Sequence, residues 1–122
     1  MDKIIVNLIK LQNQLRISHW QSRKYGEHKA LGKAYDDLGD LIDTLVEVHQ
    51  GKYGVLKYES PIVLGLVNTE EISMQDILQE VDGYLHSEFD ALTDESSDSD
   101  CRNIRDEILS VINRLRYLLT LQ

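Results

Sequence analysis

Cysteine, proline and the largest aromatics are almost missing from this chain, whose 122 residues include one Cys, one Pro, one Trp and one Phe. A lone Cys rules out a disulfide framework within the chain and a Cys-rich zinc site. The only Pro stands at position 61, so the stretches on either side of it are free of that helix breaker. Nowhere do 18 apolar residues follow one another, and no transmembrane helix is expected. The opening Met1-Asp2-Lys3-Ile4-Ile5 lacks the basic start and apolar run of a signal peptide. Positive charge is scarce too: 13 Lys and Arg face 21 Asp and Glu, a formal balance of −8. Such a surface repels nucleic acid and anionic lipid unless its cations cluster. The densest group, Arg102, Arg105, Arg114 and Arg116, is spread around one predicted helix, and no basic arm is expected before the first. Direct nucleic-acid binding and membrane attachment are not expected, and a cytoplasmic protein is.

What the chain does have is 42% apolar and 28% charged residues, enough to bury a core and too apolar for disorder. One domain over residues 1–122 is expected. Ile4, Ile5, Leu8, Leu11, Leu15 and Trp20 recur with a helical period and predict a helix over about 3–21. Leu31, Tyr35, Leu38, Ile42, Leu45, Val46 and His49 predict a second over about 27–50, closed by Gly51 as its terminal glycine. So short a turn between them makes these helices antiparallel neighbours. Ser73, with Asp76 three residues on, is an N-cap signal for a third helix over about 73–93. Asp98 to Asp100 place negative charge at the start of a fourth, over about 101–121.

Residues 52–72 carry Gly54, Pro61 and Gly65 and show no period. A link of ~21 residues reaches roughly 70 Å when extended, against ~36 Å for a 24-residue helix. It can therefore run the full length of the bundle. The expected fold is an all-α four-helix bundle with a long link between its second and third helices, either crossed over or simply up and down.

The chemistry concentrates between His19 and His49. With His28 set at 0° on the second helix, Gly39, Gly32, Asp43, Asp36 and Glu47 follow between ~20° and ~100°, while the apolar side chains occupy roughly 220–340°. A band of one His, several carboxylates and two glycines thus borders the core face. Each glycine costs ~1 kcal/mol against alanine in a helix, which points to close approach by another helix or chain. Asp43 and Glu47, four apart, project from one face. Carboxylate oxygen suits iron, manganese or magnesium, and imidazole moves the preference towards iron or zinc. His19 lies on the apolar side of the first helix, next to this band.

Leu15-Arg16-Ile17-Ser18-His19-Trp20, then His28, then Asp43-x-x-x-Glu47, resembles the mini-ferritins, the starvation-induced DNA-protection class of the ferritin-like superfamily. In that family a His-Trp pair ends the first helix, and a second His opens the next. An Asp-x-x-x-Glu pair lies fifteen and nineteen residues beyond that His, as Asp43 and Glu47 lie beyond His28. The family's further acidic ligand falls here on Gly32, with Asp36 one turn along. The resemblance implies a ferritin-like bundle in which His19 and His28 of one subunit face Asp43 and Glu47 of a two-fold partner. It further implies iron bound and oxidised there, with manganese or zinc as alternatives. At minimum a homodimer follows. A segment His-x-Gln-x-x-x-Tyr-x-x-His-Lys-Ala-Leu-Gly, here His19 through Gly32, with Gln-Gly-Lys-Tyr-Gly at Gln50 to Gly54, is similar to small ferritin-like proteins of tailed phages. That likeness implies a viral origin, and hence the host cytoplasm, without implying an activity.

Two expectations stand side by side. The first is a ferritin-like metal-binding bundle, ferroxidase-like if it turns over, with His19, His28, Asp36, Asp43 and Glu47 as ligands. The second is a non-enzymatic helical phage accessory or interaction protein, in which the same stripe is a polar dimer seam. Other features weigh less. His86, four residues from both Asp82 and Asp90, reads as surface pairing before it reads as a second ligand stripe. Gly51 to Gly54 lacks the spacing of a phosphate loop, and Cys101 has no placed His to activate it.

Overall fold

The computed structural model describes residues 1–121, and among them four α-helices account for nearly all regular structure: α1 (Asp2–Gln21), α2 (Tyr25–Tyr53), α3 (Met74–Leu92) and α4 (Ser99–Leu118). Hydrogen bonds between side chains and distant backbone give their directions. Gln12 near the middle of α1 reaches Tyr35 O of α2 at 3.4 Å, and Lys52 at the end of α2 meets Asp100 at the start of α4 at 2.8 Å. Gln75 of early α3 donates to Arg116 O of late α4 at 2.9 Å. Every one of these pairs is antiparallel.

Helix α2 packs between α1 and α4, and α3 packs against α4 and less extensively against α1. Helices α2 and α3 therefore occupy opposite corners and run the same way. That is the crossed-over connection, one of the two topologies open to so long a link. The link itself is fastened by glutamines. Gln50 Oε1 accepts from Leu56 N at 3.1 Å where the link leaves α2. Gln14, buried in α1, both donates to Val67 O at 2.9 Å and accepts from Val67 N at 3.0 Å, pairing with the chain as a strand would. Gln21 then accepts from Thr69 N at 2.8 Å, and a 3₁₀ turn, Thr69–Glu71, capped by Asn68, leads into α3.

The core is one apolar cluster drawn from all four helices, with Leu8, Leu38, Leu78, Leu85, Phe89 and Ile108 fully enclosed. Three boundary details differ from the periodicity. Helix α2 does not stop at Gly51 but continues to Tyr53, because the positive φ of 89° falls at Gly54, whose N–H closes on Gln50 O. Lys52 and Tyr53 are held in the helix by bonds to Asp100 and Asp98. Trp20 is 65% exposed, since five residues beyond Leu15 it is turned ~140° off the apolar stripe. Leu92, at the last turn of α3, is exposed as well. The Ser73 cap is present, its Oγ accepting from Asp76 N at 3.3 Å. No helix among the described residues is long and apolar enough to cross a membrane.

Candidate metal centre

The short turn Ser22 to Lys24 folds α2 back on α1 and brings His19 and His28 face to face. Their ring centroids lie 3.8 Å apart and their planes 18° from parallel. Each ring is fixed by the other residue's backbone. His19 Nδ1 lies 2.6 Å from His28 O, and His28 Nδ1 lies 2.8 Å from His19 O. A carbonyl only accepts, so both Nδ1 atoms donate and both neutral rings keep an unprotonated Nε2. This is the arrangement by which metal-ligating histidines are oriented, the second nitrogen being tied to a carbonyl. The Nε2 lone pairs lie in the two ring planes, so two stacked rings offer two separate ligands and not the two arms of one chelate.

Gly32 explains itself at this pair. A Cβ on it would sit 2.7 Å from His19 Cε1 and 3.0 Å from His19 Nδ1, so glycine leaves the space the imidazole fills. Gly39 does the same for the amide of Gln12, 2.7 Å from the would-be Cβ. The close approach inferred from the two glycines is thus made by side chains of α1. The rings open onto a shallow depression of about 440 Å³ shared with Tyr25, Lys29, Asp36 and the Lys33–Asp37 ion pair at 3.1 Å. Arg16 bridges α1 and α2, its guanidinium 5.2 Å from the Trp20 ring and 5.1 Å from the Tyr35 ring.

Of the five expected ligands, the fold joins His19, His28 and Asp36 around one depression and leaves Asp43 and Glu47 elsewhere. Fifteen and nineteen residues along the same helix put those carboxylates ~22 and ~28 Å from His28. Both are exposed on the outer face of α2. Among the described residues, no three His, Cys, Asp or Glu side chains converge to hold a metal. The residues therefore fit a metal only in part within one chain: two oriented imidazoles with one carboxylate in the same depression.

The other acidic features are used internally. Asp90 accepts from Arg105 at 2.8 Å and lies 3.9 Å from Arg102, and Asp82 accepts from Asn113 at 3.2 Å, so neither forms a ligand stripe with His86. In the run from 94 to 100, Asp94 accepts the N–H of Ser96 and of Ser97 and both hydroxyls, which holds its carboxyl down at about 2. Asp98 does not cap α4 with its side chain. It turns inward to accept from Asp94 N at 2.8 Å and from the Tyr53 hydroxyl, with Lys52 at 3.4 Å. The Asp94 amide first, then the Tyr53 hydroxyl, keeps Asp98 below the usual carboxylate range. Cys101 beneath it is buried, which pushes its thiol up and leaves it inert. Sequence reasoning missed this joint, and missed the buried Gln14 and Arg105. A charged residue inside the apolar stripe Cys101, Arg105, Ile108, Ile112 was the available signal for Arg105.

The pattern of a family of unknown function, DUF5856, matches residues 19–119. The chain belongs to that family. The match opens at His19 and takes in the whole of α2, α3 and α4, so all five expected ligands of this DUF5856 member fall inside it. No curated protein and no solved structure matches the chain.

Proposed function

We propose that this protein is a ferritin-like bundle that binds a divalent metal ion, iron first and manganese or zinc as alternatives, at a site shared between two copies. The observation that carries it is the reciprocal His19–His28 pair, two imidazoles locked with Nε2 free. The crossed-over link supports it, since this is the single long connection of ferritin-like bundles. The site needs a second copy to supply Asp43 and Glu47. Two α2 helices packed antiparallel about a point between Tyr35 and Asp36 bring His28 of each level with Asp43 of the other.

The charges on α2 suit that pairing. Its exposed face is basic at the start, with Lys29 and Lys33, and acidic beyond, with Asp36, Asp40, Asp43 and Glu47. An antiparallel pair sets unlike charges against each other. In such a site the carboxylates would hold the cation and one imidazole of the pair would complete its shell, since the stacked rings do not aim both Nε2 atoms at one ion. A bound ion with open positions supplies Lewis acidity and, for iron, electron transfer to oxygen or peroxide. If Fe(II) is the substrate, the protein's part is to gather it and keep ligands on both sides. The phage accessory reading keeps the same seam: Lys29 and Lys33 against the acidic stretch join two copies without any metal.

Metal analysis of protein purified without chelator decides between them, alongside a His28→Ala, Asp43→Ala double variant. The metal reading expects wild type to retain iron, manganese or zinc, to oxidise added Fe(II) in air faster than the variant, and to sediment as a dimer or larger. Equal metal content in the two proteins overturns it. A dimer that forms in both, with neither holding metal, supports the seam.

A further inference from the structure

Helices α1 and α3 meet only lightly, and the link lies over the seam between them. Beneath it is a hollow of about 340 Å³, at the small end of the ~300–1,000 Å³ typical of ligand sites. Leu11 of α1, Val67 and Ile72 of the link, and Ile77 and Val81 of α3 make its apolar walls. Only Leu11 among them is fully buried, so the other four still have apolar surface to cover. The roof is fixed in place. Gly65 turns the chain with a φ of 63°, and Gln14 commits both ends of its amide to Val67. Three polar groups around the hollow are uncommitted. Lys10 on α1 and Glu80 on α3 line it from different walls, and neither makes an ion pair or hydrogen bond among the described residues. Asn7 donates from Nδ2 to Lys3 O at 3.0 Å, which leaves its Oδ1 as an acceptor. An apolar hollow thus carries one cation, one anion and one neutral acceptor, none of them used by the fold or by the His19–His28 depression.

We infer that this hollow binds a free α-amino acid with a large apolar side chain. The ligand's carboxylate accepts from Lys10, its ammonium donates to Glu80 and to Asn7 Oδ1, and its side chain lies against Ile72, Ile77 and Val81. The charge pattern selects this class. A fatty carboxylate answers Lys10 but sets Glu80 against hydrocarbon, and a simple amine does the reverse. Only a ligand that carries both charges beside one apolar group satisfies all three polar groups and the walls together. Size excludes a docked helix, which is ~10–12 Å across and cannot enter beneath the link. Lys10 and Glu80 are exposed, so each ion pair adds modestly, and burial of the ligand's apolar group supplies most of the affinity. The charges then set specificity more than strength.

The test titrates L-phenylalanine into the full chain and follows backbone amide shifts by NMR. Phenethylamine, which lacks the carboxylate, and phenylpropionate, which lacks the ammonium, are titrated alongside. Shifts confined to residues 7–14, 65–72 and 77–81 place the ligand in the hollow. Phenylalanine is expected to bind at least about fivefold more tightly than either analogue. Lys10→Ala brings phenylalanine down to the affinity of phenethylamine, and Glu80→Gln brings it down to that of phenylpropionate. Val81→Phe, which fills the hollow, abolishes binding of all three compounds. The two charge variants lie on the surface, so they remain informative where Val81→Phe fails to fold. Equal affinity for the three compounds overturns the inference, and so does a preference that survives both charge variants. Phenylalanine that shifts nothing up to its solubility limit, or shifts amides elsewhere, overturns it as well. Decanoate that binds more tightly than phenylalanine assigns the hollow to a fatty carboxylate and overturns it too.

Discussion

Gly32 is the residue on which the candidate site turns. As a helix-interior glycine it costs stability, and alanine there would recover up to ~1 kcal/mol of helix propensity. The new methyl would meet the His19 ring at 2.7 Å, and that ring is held by a 2.6 Å hydrogen bond. Gly32→Ala is expected to unfold at lower urea concentration than wild type, by about 1 kcal/mol, with the His19 Nδ1 proton exchanging faster. Gly51 is the control. It is helical and exposed with nothing within 4 Å, so Gly51→Ala is expected to stabilise by ~0.5–1 kcal/mol in the same urea titration. The two glycines look alike as letters, and only the neighbour at Gly32 sets them apart. That is why periodicity located the stripe but could not tell which glycine makes room for a ring.

At the scale of elements the four helices were legible because their apolar spacing is regular, and the Ser73 cap because its chemistry is local. The end of α2 was not, since Gly51 and Gly54 are equally plausible terminators until Tyr53 and Lys52 find Asp98 and Asp100 across the bundle. Nor was the course of the link, whose hold on α1 depends on a glutamine, Gln14, with no periodic signature. Gln14 contributes two hydrogen bonds to Val67 from a buried position. Gln14→Leu keeps the volume and removes both, so a loss of about 1–2 kcal/mol is expected. In hydrogen exchange the Val67 amide should lose its protection while amides in the middle of α2 keep theirs. Equal loss in both places would mean that the glutamine supports the whole bundle and not the link alone. The candidate site was half legible for a related reason: His19 and His28 meet across one short turn, whereas Asp43 and Glu47 lie on the same rigid helix and can join them only from another molecule.

For the whole molecule, acid acts in two stages. His49 sits half-buried beside Tyr53, with ring centroids 4.9 Å apart, and its Nδ1 is enclosed without a hydrogen-bond partner. Burial, and then the N-terminal ammonium, lower its pKa below the ordinary 6.5. The folded state thus binds its proton less readily than the unfolded chain, so stability is fully present above 6.5 and declines as pH falls below it. The carboxyls of Asp90, Asp94, Asp98 and Asp100 are all held below 3.8, and their share is lost only as pH drops through that range. Thermal melts from pH 8 to pH 3 should therefore show a first decline beginning near 6.5 and a steeper one below about 4. His49→Leu should remove the first and leave the second.

The crossed-over link also governs when the bundle can close as it is made. The turn between α1 and α2 lets that hairpin pair as soon as both helices leave the ribosome. The strip of α2 that α4 will cover, around Ala30 and Ala34, then stays bare while the 65 residues from Gly54 to Leu118 are synthesised, a wait of several seconds at ~5–20 residues per second. During that interval the nascent hairpin exposes an apolar face to whatever else is near, including other copies of itself.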